Sequence, residues 1–468
     1  MRIHLATAMA VGGLLLATSA MAEVTGVTGG GAPISNYQPS LVLTQAVSMF
    51  GAYPRHDCSS CSAISTTGMI HTFAGDFSPW FEPRAEGELL AISEYDTLFN
   101  LFGTTYGGDG LVTFGAPDLA GRTAMGTGQG LGLTNRILGQ QLGAGTNVMT
   151  LGQMPSHDHD LPGGGVTGLT GGNQPLNNIQ PSLALSYQIA VSGHYPGGGY
   201  DPFLGKVDLF AGDFATDGHM LAKGQTLSIS AYAALFSVLG TTYGGDGITT
   251  FRLPDLQGRV VVGAGGGVSL GDYFGTEDTL LTESNLPSHL HTLPGGDVTD
   301  LDGGGLPFNN LQPSLGLNYL IALNGIIPGS PEFIGWSSFE STIGEIIAFA
   351  GNYAPTQYAF ANGQLLLIRD NTALFSLIGT TYGGDGRTTF ALPDLRGRTI
   401  LGAGDGFSVG QVYGENSHTL SINELAPHLH TLPGSVSGAV PEPATWALMI
   451  SGFGMVGAML RLRRVLPV

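Results

Sequence analysis

The seven letters "TTYGGDG" occur at Thr104–Gly110, at Thr241–Gly247 and at Thr380–Gly386, 137 and then 139 residues apart. Self-similarity at a fixed period restricts a chain to architectures assembled from equivalent units. The copies reach far beyond the heptad. Each opens with a short stretch, "GMIHTFAGDF" from Gly68, "GKVDLFAGDF" from Gly205 and "GEIIAFAGNY" from Gly344. In the second, Val207 and Leu209 alternate with Lys206 and Asp208, the period of a strand with one face in the core and the other in water. "GELLAIS", "GQTLSIS" and "GQLLLIR" follow, and then one or two helical turns that end on Gly103, Gly240 and Gly379. Ser93 and Ser230 are the expected N-caps, with Asp370 in that role in the third copy. The heptad and a Pro-Asp-Leu-x-Gly-Arg motif (Pro117–Arg122, Pro254–Arg259, Pro393–Arg398) complete each unit.

The third copy, "GEIIAFAGNYAP…NGQLL…ALFSLIGTTYGGDGRTTFALPDLRGR", resembles the phage tail collar domain, shared by short tail fibres and bacterial microcystin-dependent proteins. The first copy departs from the pattern at Gly115, Ala116 and "SPWFEPRAEGE". The resemblance implies a mainly β fold with short helices (α+β), arranged as three tandem tail-collar-like repeats. Repeat 1 is expected over residues 36–166 with its core at 68–122, repeat 2 over 167–297 with its core at 205–259, and repeat 3 over 298–434 with its core at 344–398.

Strand-like segments "NNIQPSLALSYQIAVSG" from Asn177 and "NNLQPSLGLNYLIALNG" from Asn309 follow the first two units, and none follows the third. The missing copy, "SNYQPSLVLTQAVSMFG", stands at Ser35 near the start of the chain. An unpaired strand edge invites aggregation, and closure removes it. The count therefore predicts that residues 36–50 complete repeat 3 and close the chain as an intrachain pseudo-threefold trimer.

Each unit also carries a His-x-His: His157 and His159, His289 and His291, His428 and His430. Residues two apart on an extended segment share a face, so each pair can converge on one point. The resemblance to tail fibres, which place such motifs from three chains on an axial ion, implies these six residues as metal ligands. Six nitrogens suit iron(II) or a similar octahedral transition ion better than zinc, which prefers four ligands. The bland alternative is a set of metal-free turn histidines.

Residues 1–22 have the pattern of a signal peptide: Arg2, an apolar run from Leu5 to Leu16, and Ala20-Met21-Ala22. Residues 440–464 place Pro441-Glu442-Pro443 before an apolar run and then Arg461, Arg463 and Arg464. This order resembles the PEP-CTERM sorting signal of Gram-negative bacteria. It implies export, processing by a membrane-bound exosortase, and an outer-surface or extracellular-matrix location, with membrane contact only through the C-terminal hydrophobic helix before processing. With 35 Asp+Glu against 16 Lys+Arg and 76 Gly, the chain is acidic and turn-rich, which excludes nucleic acid as a partner.

Other motifs carry less. Cys58 and Cys61 form a lone CxxC in a loop-like context, open to a local disulfide or a redox role but lacking the second pair of a zinc knuckle. Asp109, Asp246 and Asp385 lack the nine-residue spacing of calcium repeats. "GTGQGLG", "GAGGGVSLG" and "GAGDGFSVG" fail the dinucleotide fingerprint at Leu131, Val268 and Phe407. No nucleophile-and-base arrangement recurs, so the expectation is a non-enzymatic structural or adhesive surface protein. By the same resemblance glycans are the expected partner; a metal-dependent enzyme using the His pairs is the rival from another class.

Overall fold

The computed structural model describes residues 23–54, 66–78, 83–196, 203–328 and 341–433. In chain order the framework is β1 (Ser40–Val47), β2 (Met69–Phe73), α1 (Asp96–Phe102), β3 (Thr123–Gly126), β4 (Ser182–Ala190), β5 (Lys206–Phe210), α2 (Ala233–Leu239), β6 (Val260–Gly263), β7 (Ser314–Ala322), β8 (Glu345–Phe349), α3 (Thr372–Ile378) and β9 (Thr399–Gly402). The fold is mainly β, and each helix is only seven residues long.

The three Gln-Pro-Ser-Leu segments supply β1, β4 and β7. Each runs parallel to the strand that follows a Pro-Asp-Leu-x-Gly-Arg motif: Ser182 lies opposite Thr123, Ser314 opposite Val260, and Ser40 opposite Thr399. The far half of each then pairs antiparallel with the opening strand of the next repeat, β4 with β5, β7 with β8 and β1 with β2. Because β1 joins β9 to β2, the third unit is tied to the first and the pseudo-threefold ring is closed within one chain. Strands buried on both faces need near-continuous apolar or hydrogen-bonded sequence, and every residue of β1 and β4 is buried. A ring of amides reinforces the closure. The Nδ2 groups of Asn36, Asn178 and Asn310 donate to the carbonyls of Ile179, Leu311 and Tyr37, each at 2.8 to 2.9 Å.

The opening strands meet around the pseudo-axis, with Phe210 opposite Met69, Lys206 opposite Phe349 and Glu345 opposite Phe73. Their polar faces are therefore not in water, contrary to the alternation read from sequence: Lys206 and Glu345 are each 5 % exposed. Charge pairing compensates the burial. Lys206 Nζ lies 3.2 Å from Asp208 and 4.0 Å from Glu345, His219 lies 3.2 Å from Asp208, and His71 lies 3.3 Å from Glu345.

The heptad is a turn and a latch. Asp109 Oδ1 accepts the amides of Leu111, Val112 and Thr113 at 2.8 to 2.9 Å, which holds its carboxyl down at about 2. Gly108 has φ +88°, and a Cβ there would stand 2.3 Å from the Phe114 Cα, so only glycine fits. The tyrosine reaches out of its own repeat: Tyr106, Tyr243 and Tyr382 donate to the carbonyls of Ala211, Ala350 and Ala74. The preceding helices start later than expected. Their N-caps are Tyr95, Tyr232 and Asn371, none with a side-chain cap bond. Ser93, Ser230 and Asp370 fall outside the cap position, and anchoring comes instead from buried Leu98, Leu235 and Leu374.

Candidate metal centre

The His-x-His segments are extended, and each bridges antiparallel to a short Val-Thr stretch: His157 to Thr170, His289 to Asp302 and His428 to Thr28. In repeats 1 and 2 the partner follows in sequence, whereas in repeat 3 it is "VTGVT" at residues 24–28, so the start of the chain completes the last unit a second time. These residues were not singled out in the sequence, although "VTGVT", "VTGLT" and "VTDLD" form a further set of matched copies. Their first threonines fix the ribbons. The hydroxyls of Thr25, Thr167 and Thr299 accept the backbone amides of His430, His159 and His291 at 2.9 to 3.0 Å.

Alternation turns Leu290 and Leu429 outward, 36 % and 38 % exposed, while the histidines face inward. All six imidazoles are brought together, at most 3 % exposed. Every Nδ1 donates to a backbone carbonyl, of Pro155, Asp300, Pro287, Gly26, Ala426 and Gly168 in chain order of the histidines, at 2.8 to 3.1 Å. Three of these carbonyls come from another ribbon, so the rings also tie the ribbons together.

A neutral imidazole with its proton on Nδ1 has only a lone pair at Nε2. Those lone pairs face one another. The Nε2 atoms of His157 and His289, of His289 and His428, and of His291 and His428 are 3.2 Å apart, and those of His159 and His430 are buried with no partner at all. Burial disfavours protonation and is the main cause that lowers the His157 and His291 values, brings His289 and His430 down to about 4, and His428 to about 3. Repulsion from adjacent rings works in the same direction. Those five rings are thus uncharged at neutral pH, with acceptors crowded together at the centre.

Inward lone pairs at this spacing are an arrangement that a cation could occupy. Two sets of four histidines, His157 with His289, His291 and His428, and His157 with His159, His291 and His430, have nitrogens spaced to hold a metal ion. Imidazole nitrogens suit transition metals, and an Nδ1–H bound to a carbonyl is the outer contact that orients a ligating histidine. Among the described residues the groups with metal-holding spacing are made of histidines alone.

The remaining motifs are satisfied locally. Arg122, Arg259 and Arg398 pair with Asp118, Asp255 and Asp394 inside their own turns at 2.6, 3.1 and 3.4 Å. Cys58, Cys61, the N-terminal apolar segment and the C-terminal motif lie outside the described residues. Among the described residues no helix is long and apolar enough to cross a membrane.

Over residues 68–124, 205–261 and 344–400 the chain matches the Phage Tail Collar Domain, and over residues 439–464 the PEP-CTERM protein-sorting motif. No curated protein and no solved structure matches it. The sorting motif indicates export to the cell surface and implies handling by an exosortase. The chain thus carries three stretches that match the phage tail collar domain together with a PEP-CTERM sorting motif, which indicates export to the cell surface.

Proposed function

We propose that the protein is a non-catalytic structural spike of the cell surface, a three-collar fibre end made from one polypeptide, in which His157, His159, His289, His291, His428 and His430 hold one transition-metal ion of the iron(II) type. The convergence of six buried imidazoles carries this reading. An octahedron whose neighbouring nitrogens stand 3.2 Å apart has arms of about 2.3 Å, close to the ~2.1 Å of a metal–imidazole bond. Such an ion cross-links the three ribbons in addition to the hydrogen bonds between them, and its contribution is to stability.

A catalytic metal keeps a coordination position open for water or substrate. Six ligands from one chain leave none, which favours the structural role over a metal-dependent enzyme. Elemental analysis of the exported protein tests the proposal: about one equivalent of a transition metal per chain is expected, and a protein essentially free of such metals would remove the ion from the reading while leaving the collar ring intact.

A further inference from the structure

The six ligands obey the pseudo-threefold symmetry, but their surroundings do not. Three seams separate the ribbons, and corresponding positions can be compared. The hydroxyl of Thr28 donates to the Leu290 carbonyl, and that of Thr170 to the Leu429 carbonyl. At the remaining seam the same two positions are Asp302 and Asp158. One step along, the amides of Gly26 and Gly168 donate to the carbonyls of Thr292 and Thr431, whereas here Asp300 donates to Asp160. Six residues before the first histidine stand Leu151 and Ile422 in two repeats and Glu283 in the other, within electrostatic reach of Asp302 and Asp158.

Five carboxylates thus replace threonine, glycine and aliphatic residues at one seam only. Like charges gathered across an interface weaken it, and nothing in the ring's closure calls for them. They do not form a chelate, because the groups with metal-holding spacing contain histidines alone. Between Asp158 and Asp160 stands one of the two histidines whose buried Nε2 has no partner, the other being His430. His159, flanked by Asp158 and Asp160 on its own ribbon, is 1 % exposed, its Nδ1 is held by the Asp300 carbonyl, and its Nε2 has no partner.

We infer that this seam is the side from which a metal cation reaches the six-histidine centre, with Asp158, Asp160, Glu283, Asp300 and Asp302 as the steering charges. The inference rests on the metal reading above. A patch of one sign at the surface raises the local cation concentration and the rate of entry, which ligand atoms buried behind it cannot do by themselves. The other two seams, closed by Thr-to-carbonyl bonds and Leu290 or Leu429, offer no such attraction. The carboxylates set how fast the centre fills and not how tightly it holds.

The test uses protein produced in metal-depleted medium, with cobalt(II) as the probe and its visible absorption as the signal. Asp302→Thr, Asp158→Leu and Glu283→Leu together install residues that the other seams already carry, so the fold has precedent for each. The combined variant should load at least about ten times more slowly at low salt, while the final occupancy stays that of the wild type. The wild-type rate should fall steeply with added salt and the variant's should not. Conversely, Thr170→Asp with Leu429→Asp should speed loading. Equal rates for wild type and combined variant at low salt, with full uptake in both, would overturn the entry side and leave the metal centre standing. Absence of cobalt uptake by the wild type would overturn both.

Discussion

The Tyr382 hydroxyl donates to the carbonyl of Ala74 at 2.5 Å, a bond between residues 308 positions apart that joins the last repeat to the first. Tyr106 to Ala211 and Tyr243 to Ala350 are its counterparts between consecutive repeats. Burial raises all three phenols far above their ordinary value, so each stays a donor at any physiological pH. The repeated heptad therefore sets a turn within one unit and sends a hydroxyl into the next.

Replacing Tyr382→Phe keeps the ring and its packing but leaves the Ala74 carbonyl short of a donor. A buried acceptor left unpaired costs about 1–3 kcal/mol. Tyr106→Phe and Tyr243→Phe should cost similar amounts, because the three bonds are equivalent. Urea unfolding measures this; a Tyr382→Phe protein as stable as the wild type would show that the closing contact carries no energy.

Deleting residues 35–47 removes β1 and with it the partners of Thr399–Gly402 and of Met69–Phe73. Both edges then become open templates for another chain. Loss of the soluble monomer, or association of chains through the exposed edges, is the expected outcome in light scattering on a sizing column. A truncated monomer with unchanged melting temperature is incompatible with the closed ring.

Lys206 separates Asp208 and Glu345 near the pseudo-axis. Burial alone pushes both carboxyls up, but Lys206, with His219 beside Asp208 and His71 beside Glu345, outweighs it and holds both below the ordinary range. A carboxyl depressed in the folded state contributes stability above its unfolded value of about 4 and loses it as pH falls further, so the wild type should weaken in acid. Lys206→Met, which copies Met69 of the first repeat, strands two buried carboxylates at a cost of about 3–5 kcal/mol at neutral pH. Without the ammonium, burial raises both groups above their unfolded values and the sign reverses. The deficit of the variant should therefore shrink between pH 7 and pH 5 in urea titrations; a constant deficit contradicts the pairing.

Identity between copies made the ring legible in the sequence, because Gln-Pro-Ser-Leu at Gln38, Gln180 and Gln312 supplies one strand per unit and leaves the first copy to serve the last. The histidine pairs were legible for the same reason. What periodicity does not reveal is which surface a neighbouring repeat covers. Lys206 and Asp208 have the alternation of a solvent-facing edge, yet three such edges meet around the axis and bury one another. Tyr382 is likewise indistinguishable from a local turn residue until its acceptor, in another repeat, is in place. The short "VTGVT" at residues 24–28 has too few letters to stand out alone, and only its bridge to His428 gives it a role.

The metal reading makes a last prediction about stability. An ion that binds only the folded centre stabilises it by mass action, by about 4 kcal/mol at a free concentration a thousandfold above its dissociation constant. A strong chelator should therefore lower the melting temperature of the wild type. His291→Ala removes one of the proposed ligands, whose Nε2 lies 3.2 Å from that of His428 and whose Nδ1 donates to the Gly26 carbonyl of the N-terminal ribbon. The variant should bind less metal and melt lower than the wild type, and the chelator should then lower it little further. If the chelator instead leaves the wild type unchanged while His291→Ala is destabilised, the six rings act through the Nδ1 bonds alone, and the inward lone pairs hold nothing.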